Sequence, residues 1–376
     1  MSGLADDLVS VDAPARRRWL PGRRAVVLIV SAATTLGLLA VAWLLPVPFV
    51  KLAPGPTFNV IGEQDGRPVI EIEGTTTYPV TGILDMTTVL ESGGPRGGLT
   101  FVEAIESWLD PSDAVLPREM LFPDDLSGEE LRSRQAALFS TSGSFAVAAA
   151  MDFLGRPVTS TVVINAVYPD SPAEDVFRTQ DQIISVDGVD VAEPNDVVDA
   201  VRSQPIGSAL EITILREDDE SGASEQTVTV TTADNPDNPG TPYLGIGVAD
   251  LYAAEFPIEF TLEDVGGPSA GLMFALGIID KLTPEDLTAA DHIAGTGTIT
   301  PDGKVGPIGG IRQKVAGARE AGANLFLMPV DHCEEIVGHV PDGLTVAAVS
   351  TLDEAVAALR AHAEGAPVAA CPTETA

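Results

Sequence analysis

The sequence has 376 residues, a formal net charge of −34 at pH 7 and a pI of about 4.2. With 45% hydrophobic and 20% charged residues, it is typical of a folded protein of one to three domains. Basic residues cluster only near the N-terminus, which argues against a nucleic-acid partner, and no spacing of cysteines or histidines predicts a metal or a cofactor.

The N-terminus has the pattern of a membrane anchor. Residues 1–24 are polar and end in a cluster of arginines, and Ala25 to Leu45 is almost continuously apolar. About 20 such residues cross a bilayer as a helix, and positive charge stays on the cytoplasmic side. We therefore expect a cytoplasmic tail over 1–24, a transmembrane helix over 25–45, and a cell-membrane protein whose later domains are extracytoplasmic.

A cleaved signal peptide is the alternative for this stretch. Ala40-Val41-Ala42 resembles a cleavage site. The apolar run continues through Trp43-Leu44-Leu45 and exceeds the usual signal core, which favours an uncleaved anchor.

Short strands alternate with turns over residues 50–126. Val69 to Ile72 alternates with period two, Gly82 to Val89 resembles a second strand, and Leu99 to Leu109 predicts a short amphipathic helix that ends at Asp110-Pro111. No catalytic constellation is visible in this segment. We expect a mixed α/β extracytoplasmic unit that packs near the membrane.

A helix and a compact β unit are predicted over 127–233. Ser127 and Glu130 fit a capping box for a helix that runs to Leu154, with Gly143 as a break. Strands and one helix follow, and their bounds are Val162–Val167, Gln182–Val186, Asn195–Gln204 (the helix), Ala209–Arg216 and Gln226–Thr232.

This unit resembles a bacterial PDZ domain. Ser171-Pro172-Ala173 is predicted to start a short helix, and Asp-x-Ile-x-x-Val-Asp-Gly follows from Asp181 to Gly188. Such domains usually have glycine before the aspartate, where this chain has Gln180. The resemblance implies a groove in which a peptide adds as a strand, with the loop around 154–158 facing the peptide end. A mere spacer or assembly surface is the alternative.

A turn-rich linker over 234–241 precedes the last unit, expected over 242–362 and followed by a flexible tail over 363–376. Strands are predicted from Tyr243 to Ala249 and from Ile258 to Leu262. Gly-Gly-Pro-Ser-Ala-Gly then runs from Gly266 to Gly271 before a long apolar run, which places Ser269 near a helix N-terminus. Such a serine is either an N-cap or a nucleophile beside an oxyanion site. Backbone N–H groups near Gly267–Ala270 are the expected oxyanion donors, and Gly267, Pro268 and Ala270 are the expected supporting residues.

Two further motifs follow in order. Thr296 lies in a glycine-broken strand, and Pro307-Ile308-Gly309-Gly310 precedes a helix from Ile311 to Ala321 that carries Lys314 on the edge of its apolar face. A serine needs a base, and a desolvated lysine can serve as one. A solvated helix lysine is the alternative role for Lys314. Lys281 and Lys304 are alternative bases, whereas the four histidines, His292, His332, His339 and His362, are interpreted as structural or solvent-facing.

Together these motifs resemble the proteolytic domain of the Lon family of serine proteases. The resemblance implies protein or peptide substrates, Ser269 as nucleophile, Lys314 as general base, Thr296 beside the lysine, and homo-oligomers, commonly hexamers. Some members have an acidic residue directly before Gly-Pro-Ser, where this chain has Gly266, and Asp264 comes two residues earlier.

The whole pattern resembles the membrane-anchored, PDZ-containing Lon-like proteases of bacteria. No Gly-x-x-x-x-Gly-Lys-[Ser/Thr] motif occurs in the sequence, so we expect no ATPase function. The predicted fold is a multidomain α+β protein with a transmembrane helix, a PDZ-like β domain and a Lon-type α/β domain. The predicted function is an ATP-independent serine endopeptidase, and the alternative is a scaffold with a degenerate protease fold. The sequence neither predicts nor excludes a disulfide between Cys333 and Cys371.

Overall fold

The structure is a computed structural model that describes residues 22–94, 97–122, 128–217, 222–262 and 265–371. The α-helices in these ranges are α1 (Arg23–Leu44), α2 (Phe101–Leu109), α3 (Gly128–Phe153), α4 (Pro194–Arg202), α5 (Gly271–Leu282), α6 (Ile311–Ala321) and α7 (Leu352–Ala363). The strands are β1 (Pro46–Val47), β2 (Phe49–Asn59), β3 (Glu63–Gln64), β4 (Arg67–Pro68), β5 (Ile70–Ile72), β6 (Ile83–Ser92), β7 (Leu99–Thr100), β8 (Ala114–Pro117), β9 (Val158–Val167), β10 (Gln182–Val186), β11 (Val189–Asp190), β12 (Ala209–Arg216), β13 (Ser224–Thr231), β14 (Ala233–Asp234), β15 (Pro242–Tyr243), β16 (Ile246–Ala254), β17 (Ile258–Phe260), β18 (His292–Gly295), β19 (Thr298–Ile299), β20 (Val305–Gly306), β21 (Leu325–Pro329) and β22 (Thr345–Val349).

One six-stranded sheet joins the two ends of the chain, in the order β22-β21-β18-β6-β2-β8. Strand β6 runs parallel to β18, with Leu84 opposite Ile293 and Met86 opposite Gly295. Residues 50–126 and 242–362, expected as separate units, contribute strands to this one sheet. Leu84 and Met86 are buried in the same hydrophobic core as α5, so these strands complete the sheet of the last unit.

Helix α3 also belongs to this core and is continuous through Gly143. Its Phe139 ring lies edge-on to Phe274 of α5 at 5.5 Å, and the ring of Phe260 lies 4.4 Å from the same phenylalanine. A Cβ on Gly143 would lie 2.8 Å from the Phe260 ring. Glycine at this position therefore leaves room for the Phe260 ring to pack against the helix. It does not break the helix, contrary to the prediction. Ser127, half of the expected capping box, lies outside the described residues.

A second sheet forms the PDZ-like domain, in the order β13-β12-β10-β9-β16. Strand β16 pairs with β9 along its length, from Ile246 opposite Val167 to Ala254 opposite Val158. The strand predicted over 243–249 as the start of the last unit thus lies in this domain. Residues 171–176 form turns rather than the predicted short helix. The domain is inserted between α3 and β17, the two elements that pack on Phe274.

The unusual Gln180 occupies a position that favours glycine. Its φ is 74°, a left-handed conformation that side chains other than glycine adopt at a cost. The next residue, Asp181, is buried and accepts hydrogen bonds from Arg216 Nε at 2.7 Å and from Arg178 N at 2.8 Å. The turn therefore keeps its buried charge pair although the glycine is replaced.

Two helices are long and apolar enough to cross a membrane, within the described part of the chain. None of the α1 window Arg23–Val41 is buried, whereas half of the α3 window Leu131–Phe153 lies inside the protein. Contact with α5 accounts for the apolar character of α3, and α1 is left as the candidate span.

The C-terminal residues are attached rather than free. Cys333 and Cys371 form a disulfide, which the sequence left open, and the Ala348 N–H donates to the Ala369 carbonyl at 2.9 Å. The expected flexible tail is therefore attached at Ala369 and Cys371, and residues 372–376 lie outside the described ranges.

We expect the Cys371→Ser substitution to lower the free energy of unfolding by about 3–4 kcal/mol. The disulfide closes a loop with a sequence separation of 38, and cross-links of that span restrict the unfolded chain by about this amount. Urea denaturation with and without reductant measures the effect. Reduced wild-type protein should match the variant, and an unchanged midpoint on reduction would contradict the expectation.

Candidate functional site

A tight turn presents Ser269 at the start of α5. Gly267 has a φ of 87°, and its N–H donates to the Gln135 carbonyl of α3 at 3.0 Å. The Pro268 carbonyl accepts a hydrogen bond from Ser142 Oγ, also on α3, at 2.9 Å. Helix α3 therefore fixes the backbone on which the serine is mounted.

The Ser269 hydroxyl does not cap the helix. The N-cap of α5 is Ala270, and no side chain caps this end. Instead Ser269 Oγ lies 2.8 Å from Lys314 Nζ. The N-cap alternative for this serine is thereby wrong, and the hydroxyl faces a potential base.

Lys314 reaches the serine from α6, whose apolar face anchors the helix. Ile311, Val315 and Ala318 are fully buried, and the Lys314 side chain itself is only 3% exposed. The helix lies close to β2, because a Cβ on Gly317 would lie 3.3 Å from the Gly55 carbonyl. The solvated-lysine alternative is wrong for this residue, since the apolar face carries its amine into the protein.

Thr296 completes the arrangement. Its Oγ1 donates to the Ser269 carbonyl at 3.0 Å and accepts from Lys314 Nζ at 2.9 Å. The N–H of Gly297 donates to the same carbonyl at 2.9 Å. Because the threonine hydrogen is committed to the carbonyl, Oγ1 can only accept from the amine. A neutral amine that donates there keeps its lone pair for the serine hydroxyl.

Burial determines the charge of the lysine. Desolvation lowers the pKa of Lys314 from 10.5 to about 7, because a charged amine loses its hydration inside the protein. Near neutral pH a substantial fraction of the amine is therefore unprotonated. This is the charge state that a general base requires.

Fewer N–H groups than expected are free to bind an oxyanion. The N–H of Gly267 already donates to Gln135, and Pro268 has none. Among hydrogen bonds between described residues, the N–H groups of Ser269 and Ala270 donate to no acceptor. The expected contribution of Gly267 is therefore conformational, and the two following residues are the candidate donors.

The position before the turn cannot carry an acidic side chain here. A Cβ on Gly266 would lie 2.7 Å from Cβ of Gln135, a distance that real structures do not tolerate. Asp264 lies outside the described residues. Close approach of α3 therefore explains the departure from the acidic residue that some family members have.

A groove of about 660 Å³ opens over the serine. Its walls include residues that the sequence analysis assigned no role: Thr88–Glu91 of β6, Pro56 of β2, Leu121 and Gln135. The loop Pro307–Gly310 also lines the groove. The segment over 50–126 thus contributes to the site, and only its long-range pairing with β18 reveals it.

His332 holds one wall of this groove. Its side chain is 8% exposed, and its Nε2 accepts a hydrogen bond from the Ile308 N–H at 2.9 Å. Nδ1 lies 3.2 Å from the Glu335 carboxylate. The structural role expected for this histidine is confirmed, because the ring fixes the loop before α6.

A second cavity, of about 180 Å³, lies in the PDZ-like domain between α4 and β16. Val197 and Val201 form one side, and Leu244, Ile246 and Val248 form the other. The expected peptide-end loop at 154–158 is far from it, since the strand pairing places Val158 and Ile246 at opposite ends. The role of that loop at a peptide end stays a prediction, and the strand beside α4 comes from residues after the linker.

We expect Thr296→Val to lower kcat/KM for peptide hydrolysis by about 10- to 100-fold. Valine removes both the acceptor that orients the amine and the donor to the Ser269 carbonyl, and misplaced groups lose activity on this scale. Thr296→Ser, which keeps the hydroxyl, is the matched control and should retain most activity. Equal activity of the valine variant and wild type would contradict an orienting role.

Models of two known families match parts of this chain. Residues 263–361 match the model of the Lon protease (S16) C-terminal proteolytic domain. The chain carries a Lon-type proteolytic domain. Residues 148–231 match the PDZ domain family. The Lon-type domain and the PDZ domain together make this a PDZ-containing chain with a serine protease domain.

Curated Lon proteases match part of this chain. The chain is 42% identical over 91 residues to Lon protease 2 of Herpetosiphon aurantiacus, covering 23% of this chain and 11% of that protein. It is 38% identical over 91 residues to Lon protease 1 of Bacillus subtilis, covering 23% of this chain and 12% of that protein. The chain thus spans about a tenth of the length of the curated relatives it matches.

Solved structures similar to this chain include the PDZ domain of the SdrC-like protein from Listeria monocytogenes. That domain is 24% identical, with a TM-score of 0.21, and the match covers 23% of this chain and 86% of that one. The PDZ domain of the SdrC-like protein from Listeria innocua is 20% identical, with a TM-score of 0.21, over 23% and 92% of the two chains.

Proposed function

We propose that this chain is an ATP-independent, membrane-anchored serine endopeptidase that cleaves extracytoplasmic proteins with a Ser269–Lys314 dyad. The observation that carries the proposal is the 2.8 Å contact between Ser269 Oγ and a lysine amine that is 3% exposed. Proteolysis is supported by the Lon-type domain. Independence from ATP is the part of the proposal that an assay without nucleotide tests.

In the proposed reaction, the neutral Lys314 amine accepts the proton of the Ser269 hydroxyl as Oγ attacks the peptide carbonyl. The resulting ammonium then donates that proton to the leaving amine. N–H groups of Ser269 and Ala270 stabilise the oxyanion. Water subsequently attacks the acyl-enzyme, with the lysine again as base, and releases the product.

Location outside the cytoplasm is supported by two independent features. The arginine-rich N-terminus precedes the unburied apolar helix α1, as in anchors whose N-terminus stays inside. The Cys333–Cys371 disulfide suits an oxidising compartment rather than the reducing cytoplasm. Neither feature depends on the resemblance to Lon proteases.

The PDZ domain is proposed to select the substrate. The apolar cavity between α4 and β16 lies beside the outer edge of the sheet, where an extended peptide can add as a strand. Strand β16 is followed by a short turn and then by β17, which packs on α5. A peptide bound along β16 is therefore only a few residues of chain away from the proteolytic domain. Assembly into a homo-oligomer stays a prediction from the family resemblance.

The test is covalent labelling of the full chain with a serine-reactive fluorophosphonate, together with hydrolysis of unfolded casein without ATP. We expect the label on Ser269 by peptide mapping, and no label or hydrolysis with Ser269→Ala. Ser203→Ala is the control, because that exposed hydroxyl bonds only the Ala200 carbonyl at the end of α4 and should leave both label and hydrolysis unchanged. An unlabelled, inactive wild-type protein in every assembly state would favour the scaffold function.

A further inference from the structure

The short helix α2 turns its apolar side outward. Phe101, Ile105, Trp108 and Leu109 are 45%, 40%, 79% and 74% exposed. Their spacing places them on one side of the helix, since an α-helix has about 3.6 residues per turn. Glu103 and Glu106 lie outside this stripe. A soluble protein normally turns such a stripe toward its core, so this face requires a partner.

Hydrogen bonds close both ends of the helix, and at the C-terminal end the Asp110 N–H donates to the Glu106 carbonyl at 3.2 Å. Thr100 and Glu103 make a capping box, with the Thr100 N–H donating to Glu103 Oε2 at 2.8 Å. Ser107, on the opposite side, is 3% exposed and faces the protein. The apolar residues are therefore held on the outer surface by the fold.

Its position identifies the partner. The Phe101 N–H, in the first turn of α2, donates to the Leu45 carbonyl directly after α1 at 3.1 Å. Strand β1, which follows α1, pairs with β7, which precedes α2: Pro46 lies opposite Thr100 and Val47 opposite Leu99. Helix α2 thus begins where the candidate membrane span ends.

We propose that the outward face of α2 lies in the headgroup–acyl boundary of the membrane that α1 crosses. Tryptophan and phenylalanine are favoured at this depth, and an apolar helix face binds there by burying its surface. The net charge of −34 gives no general attraction to anionic lipid, so the contact is apolar in origin. The inference rests on the proposed membrane span of α1.

The attachment also orients the proteolytic groove. Arg118 N donates to the Pro48 carbonyl at 3.0 Å, and Leu121, three residues later, lines the groove. Three residues extend at most about 11 Å. With α2 on the bilayer, the groove wall at Leu121 stays near the membrane surface, and substrates are cleaved close to it.

Lipid-quenching fluorescence of the full chain in phosphatidylcholine vesicles tests the inference. The reporter is Trp108 in a Trp19→Phe, Trp43→Phe variant, with spin labels placed either shallow or deep on the lipid chains. We expect stronger quenching by the shallow label, protection from aqueous iodide, and no change with added salt, because apolar contact is not screened. Adding Ile105→Gln and Leu109→Gln should reduce the lipid quenching, whereas adding Glu106→Gln should not.

A companion variant separates this inference from the anchor itself. Trp19→Phe with Trp108→Phe leaves Trp43 of α1 as reporter. Lipid quenching of Trp43 without quenching of Trp108 would overturn the α2 inference and keep the anchor. Failure of both would overturn the anchor as well. Protection of Trp108 from iodide without lipid quenching would mean that another protein surface covers α2, which also overturns the inference.

Discussion

Lys314→Met is expected to lower kcat/KM for peptide hydrolysis by about three orders of magnitude or more, the scale for loss of a member of a nucleophile–base unit. Methionine fills the buried site but cannot accept the Ser269 proton. Lys304→Met is the matched control: Lys304 is the other lysine near the motif, and its side chain is 72% exposed and paired with Asp302. Loss of activity with the second variant rather than the first would reassign the base.

The wild-type pH profile follows from the same lysine. Because burial lowers the pKa of Lys314 to about 7, kcat/KM should fall about tenfold per pH unit below 7 and level off above it. An uncharged peptide substrate avoids titration of the substrate itself. A profile that still rises steeply between pH 8 and 10 would show that the amine retains the ordinary lysine pKa.

Stability should depend on pH in the matching sense. The folded-state pKa of Lys314 lies below the unfolded value of 10.5, so the unfolded chain binds more protons between about pH 7 and 10.5. The contribution of this site to the free energy of unfolding therefore rises with pH across that window. Below about pH 7 the folded state carries the full free-energy penalty of a protonated, buried amine. Lys314→Met removes the penalty. The inactive variant should thus have a higher Tm than wild type at pH 6–7, with a smaller difference at pH 9.

The sequence predicted Ser269, Thr296 and Lys314 because the motifs around them, each with glycine or proline, resemble those of the Lon family in order and spacing. Ser269 follows a turn that needs a positive φ at Gly267, and Lys314 follows Gly310, whose φ is 70°. Helical periodicity then places the lysine on the border of a buried face. Local chemistry of this kind is visible without knowledge of the tertiary fold.

The groove walls could not be predicted in the same way. Strand β6 reaches the site only by pairing with β18, and Gln135 only through packing of α3 on the turn. An inserted domain separates these partners in sequence, and strand pairing between distant segments leaves no local pattern. The place of β16 in the PDZ-like sheet could not be predicted for the same reason, since its local pattern is that of a strand whichever sheet it joins.

Phe274→Ala is expected to lower the free energy of unfolding of the proteolytic part by about 3–5 kcal/mol, the range for removal of a buried phenylalanine. Phe274 is fully buried on α5 and contacts Phe139 of α3 and Phe260 of β17. Those partners lie on either side of the inserted PDZ domain. Phe177→Ala, which removes a buried ring from the PDZ core, is the matched control.

Hydrogen exchange shows whether the sheet is one cooperative unit. If β6 and β18 share a core with α5, Phe274→Ala accelerates exchange in both strands together, whereas Phe177→Ala accelerates it mainly in β9 and β12. Exchange in β6 that stays at the wild-type rate in Phe274→Ala would mean that the segment over 50–126 folds by itself. In that case the segment over 50–126 would form its part of the groove by docking, already folded, onto the rest of the proteolytic domain. Mild destabilisation would then abolish activity before it broke the Ser269–Lys314 contact.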